Sequence, residues 1–227
     1  MARPRDGYKL ADGTKVVGTT TAIKTLAESE GLIFWAWKQG KEGKDFRETK
    51  KKAGDIGTLT HDFIEAHLRN EPLPVTDALD IFGPDEGMFA QARRAYEAWL
   101  GWFDKAGITV ESFERPLVSE IHRFGGTPDA LGKRGDIVIL PDWKTSKYIY
   151  PENIAQLGGY SILMKENAIC HPTGALILRA DKEKNMKWDV AEVNKKQLED
   201  GERAFLAALR AYNERENLKD ILQAVSR

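Results

Sequence analysis

The chain has 227 residues, enough for one medium-sized domain with its own core. Apolar residues make up 41% and charged residues 30%, an ordinary globular composition, and no apolar run approaches the ~20 residues needed to span a bilayer. A net charge of −1 gives no global attraction to nucleic acid, and the single cysteine, Cys170, excludes an internal disulfide, a four-cysteine zinc site and a four-cysteine iron–sulfur cluster.

Residues 1–17 read as an arm or short hairpin turning at Asp12-Gly13. The charged start from Met1 to Gly7 is followed by no apolar run, so it does not read as a secretory leader, and a cytoplasmic location is expected. Thr19 to Thr21 offer an N-cap for a short helix over Ala22–Ala27. A second helix, Leu32–Gln39, carries Phe34, Trp35 and Trp37, aromatics expected in the core rather than as base-stacking platforms. Between Lys38 and Lys52, seven cations (Lys38, Lys41, Lys44, Arg47, Lys50, Lys51, Lys52) stand against three anions (Glu42, Asp45, Glu48). That excess is either a solvated helix face or a phosphate-contacting surface.

A long helix is expected over Phe46–Leu68, with Ile56, Leu59, Phe63 and Leu68 at helical spacing. Residues 69–87 hold Pro72, Pro74 and Pro84 and read as a loop. Met88–Lys105 follows as a helix with Met88, Ala92, Tyr96, Trp99 and Phe103 on one face. Ile108–Ser119 has strand character, with an edge or bulge near Pro116. Gly126–Leu131 is a second strand, Gly132–Gly135 a turn, and Ile137–Leu140 an apolar strand buried on both faces. Pro151 starts a helix to about Glu166. Ala175–Arg179 and Lys187–Val193 are further strands, and Asn194 caps a final helix. The order predicts an α/β fold: a mixed central β-sheet flanked by helices, with N-terminal and C-terminal helical additions. With no repeat or linker, residues 1–227 are expected to form a single domain: an N-terminal helical part to about residue 53, a core over about 54–193, and a C-terminal helix over 194–227.

Asp142 and Lys144 lie two apart on a strand and share a face, while Trp143 points the other way. A charged pair at the mouth of an apolar strand is costly unless compensated. Alone it reads as a salt bridge. Asp129, after Gly125-Gly126, lies on the preceding strand, and two carboxylates suit Mg²⁺ or Mn²⁺. A hairpin register centred on Arg134 sets Asp142 against Gly126 and leaves Asp129 about three residues away. The strands must then bend or splay for both carboxylates to share a cation; Gly125, Gly126 and Pro128 allow it. Upstream, His61 and Glu65 are i and i+4 on one helix face, with Gly57 one turn earlier admitting a close approach. They are a surface pair or part of a site. Glu120 is a further ligand or a partner of Arg123. Gln156 and Tyr160, again i and i+4, are a hydrogen-bonded core pair or part of the site.

In combination, Gly57-x-x-x-His61, Gly126-Thr127-Pro128-Asp129, Asp142-Trp143-Lys144 and Gln156-x-x-x-Tyr160 resemble the PD-(D/E)xK nuclease superfamily. Within it they resemble the RecB-like exonuclease branch of phage-type and mitochondrial single-strand exonucleases. The likeness covers roughly residues 54–165, and the segments Gly18 to Ile23 and Ile33 to Lys38 look like the start of phage proteins of this group. It implies a restriction-endonuclease-like core and a Mg²⁺- or Mn²⁺-dependent deoxyribonuclease of replication, recombination or repair. The substrate would be DNA with a free end and single-stranded character. Carried over, Asp129 and Asp142 bind the cation, and His61 and the Trp143 carbonyl add ligands. Lys144 orients or activates the attacking water and stabilises charge on the phosphate. Gln156 and Tyr160 shape the site and hold the strand, with Lys50, Lys51 and Lys52 as phosphate contacts, and Glu65 or Glu120 would support a second ion. The second acidic residue is Asp where many relatives carry Glu; both occur. Some relatives carry an iron–sulfur cluster, which one cysteine excludes here.

No G-x-x-x-x-G-K-[ST] phosphate loop is present, so neither an attached motor nor a nucleotide cofactor is expected. The lack of H-E-x-x-H argues against a zinc peptidase, and a carboxylate-pair glycosidase has no use for Lys144. A non-catalytic nucleic-acid-binding module and a structure-specific endonuclease are the alternatives.

Overall fold

A computed structural model describes residues 4, 6–27, 29–74 and 86–225, so the expected loop over 69–87 lies largely outside the described residues. The chain runs β1 (Tyr8–Lys9), β2 (Lys15–Gly18), α1 (Thr19–Ala22) with a 3₁₀ turn over Ile23–Thr25, α2 (Ser29–Lys41), α3 (Phe46–Leu68) and α4 (Glu86–Ala106). Next come β3 (Thr109–Phe113), β4 (Leu117–Ser119), β5 (Phe124–Gly126), β6 (Ala130–Arg134) and β7 (Ile137–Lys144). The last elements are α5 (Pro151–Glu166), β8 (Gly174–Ala180), β9 (Trp188–Asn194) and α6 (Lys195–Val225).

The fold is of the expected class, α/β with mixed sheets flanked by helices, but there are two sheets: β1-β2-β5-β4 and β3-β6-β7-β8-β9. The reason lies in two strand breaks. Ile108–Ser119 is interrupted where Glu114 adopts φ 48° just before Arg115-Pro116, which separates β3 from β4. The next strand parts at Thr127-Pro128, separating β5 from β6. Each stretch crosses from one sheet to the other. The N-terminal hairpin joins the smaller sheet, with β2 parallel to β5 through Val17↔Phe124 and Gly18↔Gly125. The hairpin expected within residues 1–17 thus completes a sheet with strands from mid-chain.

In the larger sheet β7 and β8 run parallel and α5 is the crossover between them. Trp143, Leu178, Phe63, Trp99 and Trp102 pack on the face covered by α3 and α4. Leu140, Ile177, Leu157, Leu163 and Phe205 pack on the face covered by α5 and α6. Each fully buried large apolar side chain contributes about 1.5–3 kcal/mol. Helix ends follow local chemistry. Asp45 caps α3 by accepting from the Arg47 N–H at 2.6 Å. Asn194 and Gln197 cap each other reciprocally at the start of α6.

Two expectations are corrected. The first short helix starts at Thr19 with Gly18 as N-cap, because Thr19 uses its hydroxyl to donate to the Gly125 carbonyl at 2.9 Å rather than to cap. The aromatics of α2 are not a core face: Phe34 is 63% and Trp37 56% exposed, and it is Trp35 that turns inward onto Phe46.

Candidate active site

A two-residue turn, Gly135-Asp136 with Gly135 at φ 59°, joins β6 to β7. The strands pair Arg134↔Ile137, Lys133↔Val138 and Gly132↔Ile139. Continued along the chain, that register sets Asp129 opposite Asp142. The expected register, with Asp142 against Gly126, is thus corrected: the hairpin is centred between Gly135 and Asp136, not on Arg134.

The ladder stops after Gly132↔Ile139 for a stereochemical reason. Hydrogen-bonded pairs alternate along an antiparallel ladder, and the next two in register are Ala130 with Pro141 and Pro128 with Trp143. Neither proline has an N–H to give. The strands part, and side chains take over the backbone groups of Trp143. Its N–H donates to Asp129 Oδ2 at 2.7 Å, and its carbonyl lies 3.1 Å from His61 Nε2.

His61 comes from α3, which approaches the end of β7 closely at Gly57. A Cβ on Gly57 would lie 3.2 Å from Thr145 Oγ1, so the glycine sets how near the helix can come. One turn on, His61 Nδ1 is 3.6 Å from Glu114 Oε1 and 3.7 Å from Asp129 Oδ1. His61, Glu114 and Asp129 each offer a ligand atom within 4.8 Å of the others. Burial alone would lower the His61 pKa, but the carboxylates of Asp129 and Glu114 outweigh it and raise the value to about 9.

Glu114 is the residue that sequence reasoning missed. Its N–H donates to the Asp129 carbonyl at 3.1 Å, and it comes opposite Asp129 because a bulge shifts the β3–β6 register between Val110 and Ser112. The available signal was a carboxylate inside the expected strand Ile108–Ser119, two residues before Pro116.

Asp142 and Lys144 form an ion pair, with Nζ 2.5 Å from Oδ2. Asp142 is fully buried, and among the described residues its Oδ1 meets no hydrogen-bond donor. Burial pushes the Asp142 carboxyl upward; Lys144 opposes this and nearby Asp129 adds to it. Trp143 points the other way, edge-on to Trp99 and Trp102.

The remaining candidates are dispersed. Glu65 pairs with Arg69 at 2.7 Å and is not in the His61–Glu114–Asp129 cluster. Glu120 accepts from the Ala11 N–H at 2.8 Å, at the end of β4 that pairs with Phe124 rather than the end nearer Asp129. Gln156 and Tyr160 are buried and joined by a 2.8 Å hydrogen bond, with the Tyr160 ring against Gly126. Lys50 and Lys51 line, with Arg47, a cleft of about 780 Å³ whose lining includes His61, Glu114 and Asp129. Lys52 is exposed one residue beyond them. Thr127 also lines the cleft and is tied to the N-terminal hairpin by the Tyr8 hydroxyl at 3.0 Å.

The carboxylates of Glu114 and Asp129 and the Nδ1 side of His61 converge, while the Trp143 carbonyl lies on the Nε2 side of the same ring, and Asp142 nearby has a buried oxygen that lacks a donor. This hard, oxygen-rich set fits Mg²⁺ or Mn²⁺. Fold and site thus define an α/β protein with a candidate cation centre in a cleft lined by Arg47, Lys50 and Lys51 and by the carboxylates of Asp55, Glu114 and Asp129. No family model and no curated protein matches the chain. Among solved structures it is similar to the alkaline exonuclease LHK-Exo from Laribacter hongkongensis, at 21% identity over 54% of this chain and 70% of that one, with a TM-score of 0.33. It is also similar to LHK-Exo in complex with dAMP, at 16% identity over 90% and 94%, TM-score 0.39. A candidate exonuclease from Eubacterium rectale matches at 11% identity over 70% and 68%, TM-score 0.47.

Proposed function

We propose that the chain is a divalent-cation-dependent nuclease of the RecB-like exonuclease type, hydrolysing phosphodiester bonds from DNA ends. One observation carries this reading: His61, Glu114 and Asp129 converge in a cleft lined by Arg47, Lys50 and Lys51, next to the Asp142–Lys144 pair.

Asp129, Glu114 and His61 would hold Mg²⁺ or Mn²⁺, with Asp142 adding a donor; for the Trp143 carbonyl to join the set, the His61 ring must give up its Nε2 contact with it. The bound cation would supply Lewis-acid polarisation of the phosphate and a lowered pKa for the attacking water. Asp129 is oriented for this by the Trp143 N–H on its Oδ2. His61 must shed its proton to become a ligand. Lys144, fixed against Asp142, presents positive charge where negative charge builds on the phosphate, and it orients the water. Arg47, Lys50 and Lys51, with Lys52 beyond them, draw in the phosphate backbone. Gln156 and Tyr160 shape the site from behind Gly126. A second ion would require Glu65 or Glu120 to leave its present partner.

Among the described residues no helix is long and apolar enough to cross a membrane. A cytoplasmic role in replication, recombination or repair, in a bacterial or phage-infected cell, goes with this reading.

The test is hydrolysis of end-labelled single-stranded and duplex oligonucleotides in Mg²⁺ or Mn²⁺, beside a covalently closed circle. Release of nucleotides from ends, abolished in Lys144→Ala and Asp142→Asn with circular dichroism unchanged, supports the reading. Linear DNA left intact across metals and pH sinks it; binding in EDTA without cleavage would point to a non-catalytic module. Cutting of the closed circle would point to an endonuclease.

A further inference from the structure

Ile33, Phe34 and Trp37 on α2 are 65%, 63% and 56% exposed, an apolar face that the fold leaves in water. Phe34, Trp37, Lys38 and Lys41 fall at i, i+3, i+4 and i+7, on one side of the helix, while Trp35 and Gln39 turn inward. The Phe34 and Trp37 ring centroids are 5.6 Å apart, and Lys41 Nζ stands 4.5 Å from the Trp37 ring centroid.

The charge beside the rings indicates the partner. Lys38 and Lys41 are exposed on the same side as the rings, and past the end of the helix, where Lys44 pairs with Glu42 and Lys51 with Asp55, the basic run continues through Arg47 to Lys52. Flat apolar faces between cations match a polyanion that carries flat apolar groups, which is a single nucleic-acid strand. In a duplex the bases already stack on one another and offer no free face. The inward side of α2 packs beside the cleft: Trp35 sits edge-on to Phe46 at 5.1 Å, and Phe46, Arg47, Lys50 and Lys51 line it.

We propose that the exposed face of α2, beside the cleft, is a stacking platform for the bases of single-stranded DNA. The identity of the occupant rests on the nuclease reading, but the test needs no hydrolysis. Anisotropy of a labelled single-stranded oligonucleotide in EDTA measures binding by the full chain, wild type and Phe34→Ala/Trp37→Ala. Stacking predicts a Kd at least about fivefold higher for the double variant, with a smaller change on blunt duplex. Phe34→Tyr/Trp37→Phe, which keeps the rings, should restore binding. An unchanged Kd, an equal loss on duplex, or no rescue by the ring-keeping variant overturns the platform. So does sedimentation showing that wild type is a dimer which the alanine variant dissolves, since the face would then be covered by a second copy. Wild-type protein that binds in EDTA through these rings yet never cleaves keeps the platform and removes the nuclease reading. Cleavage with an unchanged Kd does the reverse.

Discussion

Gly125→Ala tests how the N-terminal hairpin is locked onto the site. A Cβ at Gly125 would fall 2.2 Å from Tyr8 Cγ and 2.4 Å from Tyr8 Cβ. The second contact involves the atom next to the Tyr8 backbone, so no rotation of the ring relieves it. The hairpin must shift. Overpacking of this kind costs about 1–3 kcal/mol, and loss of the Tyr8–Thr127 hydrogen bond about 1 kcal/mol more. Tyr8→Gly alone removes a half-buried ring together with its Cβ and should cost about 2–3 kcal/mol, less than a fully buried aromatic. In the double variant the alanine methyl enters space vacated by the Tyr8 Cβ and ring. The total should then sit near that of Tyr8→Gly, leaving a coupling of about 2 kcal/mol. Urea denaturation in EDTA for wild type, both single variants and the double variant measures it. Costs that add to within about 0.5 kcal/mol would refute the steric account.

Other outcomes follow from the cluster around His61. Its pKa of about 9 is raised, so its stabilising contribution in the cation-free protein is full below about pH 6.5 and is lost as pH rises through about 9. NMR titration of the imidazole in EDTA should give that value, and Glu114→Gln should lower it by at least about one pH unit; no movement would remove Glu114 from the cluster. A bound cation needs the neutral imidazole, so apparent Mn²⁺ affinity by calorimetry should rise with pH up to about 9; a flat profile contradicts His61 as a ligand. Wild-type protein should gain thermal stability with Mn²⁺, and Glu114→Ala and Asp129→Asn should each lose most of that gain. Gly57→Val should push α3 away from Thr145 and cut activity at least about tenfold, with a smaller effect on melting temperature, as checked by initial rates and calorimetry.

Elements governed by local chemistry were legible in the sequence. The bounds of α3 and α5 match to the residue, because Asp45 supplies a cap and Pro151 a start. The strand that carries Asp142 and Lys144 was legible from its apolar run. What the sequence withheld depends on pairing. The β6–β7 register turned on whether the turn is Gly135-Asp136 or lies further back, a shift that moves Asp129 from a distant position to directly opposite Asp142. Glu114 escaped notice because its place depends on a bulge in β3, and no residue type marks a bulge. The α2 aromatics were misplaced because periodicity shows which residues share a face, not whether another element covers it.

The splayed hairpin has one more consequence. The Trp143 amide is held by a side-chain carboxylate, not by a neighbouring strand, in the middle of a sheet. Its proton therefore reports on the charge and occupancy of Asp129. A cation or a proton that claims that carboxylate should move one backbone resonance and change its exchange with solvent, while the amides of β8 alongside stay still. The chain thus carries its own indicator of when the centre is loaded, readable without substrate and without turnover.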